Sequence, residues 1–210
     1  MCGIAGAPSF DKAFELYEKN LERGCFASGF VGLLKDGNEI VCTRRPGRYD
    51  KDKLKQTIGT DDITYCLFHS RAPTNTGEQT WSPETTHPFA VAEYFVAQNG
   101  IITNFKDFPE AEGLLVDTSI IPVHLNNNNG DISKTYSAYQ GLLTSWILNV
   151  LTKRIYIVKA GSSLHVDQDS FSSLEFKDSK PVEADGVIYT YQDKSLTVID
   201  SFSYNNPYFV

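Results

Sequence analysis

Short apolar runs and alternating segments, interrupted by a few stretches of helical spacing, predict a strand-rich chain. CGIAGA at positions 2–7 reads as a first strand with its cysteine at the open end. In DKAFELYEKNLERG, Phe14, Tyr17 and Leu21 share one helical face, with Asp11 as N-cap and Gly24 as the stop. SGFVGLLKDGNEIVCTRR is two β-rich runs around Asp36-Gly37, a hairpin signal. DKDKLKQTIG predicts a short surface helix, and ITYCLFHSRA a buried strand that ends in polar residues. PTNTGEQTWSPETTHP has no period and reads as a long loop, a kind that often covers a site. YFVAQNGIITN predicts a strand running into a turn at Asn99-Gly100. TSIIPVHL reads as a helix preceded by Asp117, and NNNNGD as a polar break. SWILNVLTKRIYIVKA and GVIYTYQDKSLTVID are two further hairpins. Many strands with few helices predict sheets packed on each other and covered by helices.

Composition narrows the class without naming it. The 210 residues suffice for one sizeable domain or two small ones, and 41% hydrophobic with 21% charged residues is ordinary globular usage. The net charge of -7 argues against a nucleic-acid partner, which needs a basic face. No apolar run reaches a membrane span and no signal-peptide pattern opens the chain, so neither a membrane partner nor export is expected. Four cysteines, at 2, 25, 42 and 66, form no CxxC pair, and the reading is a cytoplasmic protein with reduced thiols. Cys42 and Cys66 lie in apolar stretches and read as core. No repeat and no composition shift marks a domain boundary.

Candidate chemistry begins at MCGIAG. Removal of Met1 ahead of the small residue Cys2 leaves a thiol and a free α-amine on one carbon. Their ordinary pKa values, about 7.7–8.0 and about 8.5, are close enough for cheap proton exchange. Arg23 follows a helix in LERGCFASG, where it also suits a helix C-terminal dipole. Arg71 leaves the end of a buried strand in FHSRAPTNTG, where an arginine suits bidentate grip on a carboxylate or simply a solvated surface. Asn99-Gly100 is first a turn signal, and also an amide beside a free backbone N–H, suited to an oxyanion. Asp117 opens a helix, a position that also favours an N-cap. His69 and His87 are lone histidines; without a carboxylate at metal spacing no metal and no cofactor are assigned.

Taken in order, MCGIAG, the RG…SG element, HSRAPT, NGIITN and a DTS segment resemble the glutaminase domain of class II glutamine amidotransferases, which are N-terminal-nucleophile hydrolases. WILNVL…RIYIVKAGSSLHV continues the likeness through roughly residue 170. The resemblance implies an α+β fold, a four-layer αββα sandwich, with residues 1–210 forming one glutaminase domain and no fused synthase domain. It implies Cys2 as the nucleophile with its own α-amine as base, and Arg23 positioning that cysteine. Arg71 would bind the α-carboxylate of L-glutamine with Thr74 beside it, and His87 matches a histidine near the end of the glutamine loop. Asn99 and Gly100 match the oxyanion hole, and Asp117 the carboxylate for the α-amino group. The 72–88 loop would close over the thioester, and the ammonia would go to a separate acceptor enzyme.

The sequence departs from the family pattern at Ala72, where a bulky aromatic is usual, and at Gln98, where histidine is common. Ser119 stands for an acidic residue and Lys159 for an arginine. The aromatic tail SFSYNNPYFV is expected to pack on the domain or dock a partner. Three function classes stand open on these residues: a glutaminase subunit, a hydrolase of another γ-glutamyl amide or peptide, and a non-catalytic subunit that keeps the fold.

Overall fold

The first strand forms as β1 (Gly3–Ala7), buried along its length. The helix after it, α1 (Phe10–Asn20), is capped by Ser9, whose Oγ accepts from the Lys12 N–H at 3.3 Å. Asp11 is therefore not the N-cap. Phe10, Ala13, Phe14 and Tyr17 follow the i, i+3, i+4, i+7 spacing, so burying Phe10 starts the helix earlier. Gly24 is not the stop either, because the helix ends at Asn20, whose buried amide donates to the Leu16 carbonyl and to Ser172 Oγ. Gly24 instead permits close packing: a Cβ there would come within 2.6 Å of Ala72.

The chain continues through β2 (Ala27–Leu34), β3 (Ile40–Pro46), α2 (Lys51–Ile58), β4 (Ile63–Arg71), β5 (Phe89–Val91) and β6 (Tyr94–Ile102). Then come α3 (Ile120–Asn127), α4 (Ile132–Ser137), β7 (Gly141–Asn149) and β8 (Arg154–Lys159). The short β9 (His165–Val166), β10 (Phe171–Ser172) and β11 (Lys180–Pro181) precede the hairpin of β12 (Val187–Gln192) and β13 (Ser195–Ser201). This computed structural model describes residues 1–35, 40–59, 62–72 and 81–204. The turn predicted at Asp36-Gly37, Thr74 with the first half of the long loop, and the tail from residue 205 lie outside them.

Two expectations are corrected by the strand pairing. Asn99 and Gly100 lie inside β6, with no turn there. β6 pairs with β7 residue by residue, Asn99 opposite Thr144 and Gly100 opposite Leu143, and that ladder overrides the local turn preference. The glycine serves close approach, since a Cβ at 100 would come 1.6 Å from the Leu142 carbonyl oxygen. The NNNNGD break is partly helical: Asn126 and Asn127 end α3, and Asp131 caps the unforeseen α4 by accepting from the Lys134 N–H at 2.8 Å.

Among the described residues the strands form two antiparallel sheets, ordered β11-β9-β10-β1-β4-β2-β3 and β13-β12-β8-β7-β6-β5. Three apolar clusters divide the molecule into layers. Phe10, Phe14 and Tyr17 of α1 pack on Phe30 and Phe68 of the first sheet. Ile4, Val31, Leu67, Ala97, Trp146 and Phe171 fill the space between the sheets, where Trp146 Nε1 donates to the Phe68 carbonyl at 3.1 Å. Ile120, Ile121, Leu125 and Tyr136 cover Val96, Leu143 and Ile147 on the far side of the second sheet. The result is the four-layer αββα sandwich. Phe202 packs beside Tyr136, and Tyr204 Oη donates to the Gly141 carbonyl at 2.6 Å, so the first residues of the aromatic tail lie on the sandwich. Among the described residues no helix is long and apolar enough to cross a membrane.

The period of two along each strand then selects which residues meet. Ile4 faces the second sheet, so Cys2 does as well. On β4, Phe68 and Ser70 face α1, leaving His69 and Arg71 on the inner face. On β6, Ala97 faces inward and Asn99 with it. Gly3 pairs with Ser70, so Cys2 lies beside the Arg71 end of β4.

Candidate active site

Cys2 is 6% exposed, and its thiol donates to the Ala72 carbonyl at 3.9 Å. Burial pushes the thiol pKa up; the Ala72 contact, the nearby terminal amine and Arg71 pull it down, and Asp117 pushes it up. Arg23 clamps the segment from both sides. Its Nε donates to the Cys2 carbonyl at 2.7 Å, and its own carbonyl accepts from the Met1 amine at 3.3 Å. Arg23 thereby joins the chain terminus to the end of α1.

Arg71 is buried, its guanidinium 5.6 Å from the Phe26 ring centroid, and its Nη1 has no hydrogen-bond partner among the described residues. Burial lowers its pKa, opposed by Cys2 and Asp117. A buried guanidinium nitrogen left unpaired is costly, and an incoming carboxylate would relieve it. Asp117 accepts from the Ile102 N–H at 2.6 Å through Oδ2. Burial raises its carboxyl pKa, while backbone hydrogen bonds from Ile102 and Thr118 oppose the rise. Cation and carboxylate therefore both act on the thiol, Arg71 from the end of β4 and Asp117 from a turn bonded to β6.

A cavity of about 220 Å³ opens beside the thiol, lined by Met1, Cys2, Asn99, Gly100, Ile101, Leu142 and Ser162. Asn99 and Gly100 line it together with Cys2, whereas Arg71 and Asp117 lie outside its wall. Larger hollows exist elsewhere, such as one of about 550 Å³ beside Lys12, Asp167 and Asp169, but those charges satisfy one another. Among the described residues no group of three or more His, Cys, Asp or Glu side chains is placed to hold a metal ion.

His87 lies deeper than the cavity. Its ring stacks on His69 with centroids 3.9 Å apart, both buried. The Gln98 carbonyl accepts from His69 Nε2 at 3.1 Å, which fixes the neutral ring as the Nε2–H tautomer. Burial pushes the His69 pKa down to about 3, and pushes His87 well below its usual value with help from His69 and Arg71. His69 was not foreseen as a partner of His87, although strand alternation puts it on the Arg71 face.

The departures from the family pattern have local accounts. Gln98 Nε2 donates to the Leu142 carbonyl at 2.8 Å and its Oε1 accepts from Thr118 at 2.9 Å. It thereby links the strand beside Gly100 to the turn that carries Asp117. Ala72 lies against Gly24, which leaves no space there for an aromatic ring directed at that loop. Ser119 donates to the Val116 carbonyl at 2.6 Å, closing its own turn. Lys159 pairs with Asp185 at 2.5 Å, and Asp185 also accepts from the Gly161 N–H, fixing the loop that carries Ser162.

Similar folds occur among solved structures. The fold is that of class II glutamine amidotransferase domains. The glutamine phosphoribosylpyrophosphate amidotransferase of B. subtilis superposes with a TM-score of 0.70 at 16% identity, over 98% of this chain and 50% of that one. A structure described as the allosteric regulatory enzyme of purine biosynthesis gives 0.69 at 17% identity, again over 98% and 50%. The chain therefore spans half the length of these two proteins. A glutamine aminotransferase class-II domain protein from Silicibacter pomeroyi gives 0.56 at 9% identity, over 96% of this chain and 100% of that one. No protein-family model matches the sequence, and no curated protein does.

Proposed function

We propose that the protein hydrolyses the side-chain amide of L-glutamine through a Cys2 thioester and passes the ammonia to an acceptor enzyme. The observation that supports this most is the meeting of Cys2, Asn99 and Gly100 around one cavity, with Arg71 and Asp117 electrostatically coupled to the thiol. In this reading Met1 is removed and the Cys2 α-amine takes the thiol proton. Sγ attacks the glutamine Cδ, and the carbonyl electron pair moves to oxygen, where Asn99 Nδ2 and the Gly100 N–H stabilise it. Collapse re-forms the carbonyl, breaks the C–N bond and returns the proton to the leaving ammonia. Water, deprotonated by the same amine, then cleaves the thioester to glutamate.

Specificity follows from opposite charges. Arg71 takes the α-carboxylate and Asp117 the α-ammonium, so a peptide-linked glutamine would leave two buried charges unmatched. By resemblance Thr74 and His87 join in binding glutamine, and the Arg71 charge reaches His87. Glutamate and ammonia release from L-glutamine by wild type, and its loss in Cys2→Ala, is the expected result; equal rates in the two would refute the proposal.

One observation favours a second reading, hydrolysis of other γ-glutamyl amides or peptides. The cavity of about 220 Å³ is walled by apolar Ile101 and Leu142 and exceeds what an ammonia-sized group needs, a water requiring about 10–15 Å³ on the same measure. A kcat/KM for γ-glutamyl anilide above that for glutamine would decide for it.

A further inference from the structure

Nucleophile and oxyanion donor come from different sheets, Cys2 from the start of β1 and Asn99 from β6. Productive geometry between such groups must be held to about 0.5 Å. One buried side chain bonds to both sides. Ser173, directly after β10, accepts from the Ile4 N–H at 3.0 Å and from Asn99 Nδ2 at 3.1 Å with the same Oγ. Its own N–H donates to the Ile4 carbonyl at 2.9 Å. Its carbonyl accepts from Ser163 Oγ at 2.8 Å, and Ser163 Oγ accepts from Arg23 Nη1 at 3.3 Å. Arg23 Nε closes the circuit on the Cys2 carbonyl at 2.7 Å.

We propose that Ser173 is a positioning residue that holds the Asn99 amide in place against Cys2. The inference rests on the oxyanion role given to Asn99 above. A hydroxyl oxygen has two acceptor sites. The Ile4 N–H, which can only donate, holds one of them, and the Asn99 amide holds the other with a single Nδ2 proton. The second Nδ2 proton has no acceptor among the described residues, and the amide lines the cavity beside the thiol. Ser173 thus ties the Asn99 side chain to the backbone two residues from Cys2 and leaves the second Nδ2 proton free to donate into the cavity. Arg23 and Ser163 carry the same constraint to the Cys2 backbone, so donor and nucleophile are fixed relative to each other across the sandwich.

The test uses the full chain as wild type, Ser173→Ala, Ser163→Ala, Asn99→Ala and the Ser173→Ala/Asn99→Ala double variant. Ser173→Ala is expected to lower kcat for glutamine about 10- to 100-fold, part of the about 10²–10³ carried by an oxyanion donor. KM should change less than about threefold, and the double variant should be no slower than Asn99→Ala, since one interaction is lost once. The exposed Ser163→Ala, which does not threaten folding, should lower kcat severalfold. Unchanged kcat in Ser173→Ala, or a double variant slowed by the product of the single effects, overturns the proposal. A second readout does not depend on turnover: hydrogen exchange at the Asn99 side-chain amide should quicken at least about tenfold in Ser173→Ala. If that variant does not fold, Ser163→Ala should quicken it to a lesser degree. A wild type that leaves glutamine intact while showing this exchange difference refutes the glutaminase reading and upholds the Ser173 role. An active wild type whose amide exchanges as in the variants refutes the Ser173 role alone.

Discussion

Acidification should destabilise this protein through its stacked histidines before it affects most carboxylates. His69 and His87 are buried with ring centroids 3.9 Å apart, and only the neutral rings fit that arrangement. Burial lowers the His69 pKa to about 3 in the fold, against 6.5 when solvated. The unfolded chain therefore binds more protons below 6.5, and stability falls as the pH drops from there toward 3. At pH 4.5 the gap of about two units below the solvated value corresponds to about 3 kcal/mol from His69. His87, shifted the same way, adds to it. Asp11 and Asp169, whose pKa values are lowered from 3.8, lose their contributions mostly below about pH 4, and Asp117, whose pKa is raised, acts the opposite way in wild type and His69→Gln alike, so the difference between the two reports on His69. The assay is urea unfolding of wild type and His69→Gln at pH 7.5 and 4.5. Wild type should lose about 3 kcal/mol more than the variant across that interval. Equal losses in the two proteins would refute a neutral buried imidazole at position 69.

Further predictions follow from single contacts. Arg71→Met should lower kcat/KM for glutamine at least about 30-fold, mainly through KM, since an unpaired buried charge costs about 2–5 kcal/mol; steady-state kinetics checks this. Gly100→Ala would set a Cβ 1.6 Å from the Leu142 carbonyl oxygen. Parting β6 from β7 there should cost about 1–3 kcal/mol and be read as a lowered melting temperature. Trp146→Phe removes the donor that reaches the Phe68 carbonyl across the sheets, and should cost about 1–3 kcal/mol by the same measurement.

Strand pattern carried most of the fold because the central strands, such as β1, β4, β6 and β7, bury one or both faces. The hairpins at 141–159 and 187–201 and the helix over α1 were all legible from local spacing. Errors arose where tertiary pairing outweighs local preference. Asn99-Gly100 has a turn-forming sequence, yet the β7 ladder on one side and the inner cavity on the other keep it extended. Asp11 has the chemistry of a cap, but burial of Phe10 moves the start of the helix to Ser9.

The candidate site residues were legible through their order along the chain, and the fold brings Cys2 close to Arg23, Arg71, Asn99 and Asp117. Their supporting residues were not. Ser173 and Ser163 lie in short irregular segments without periodic signal, and their partners are 74 and 140 residues away. Gln98 is visible as a departure from the family, but its link between Leu142 and Thr118 depends on the facing strand and a turn 20 residues on. The stacking of His69 and His87 likewise requires the segment before β5 to fold back onto β4.

The central claim is that Cys2 is a working N-terminal nucleophile in a glutamine pocket. Its most direct test is the intact mass of the purified chain before and after diazo-oxo-norleucine, with the adduct located by peptide mapping. Loss of Met1 and a single adduct on Cys2, prevented by excess L-glutamine, is the predicted result. Retained Met1 with no adduct, or labelling only at the exposed thiol of Cys25, would contradict it.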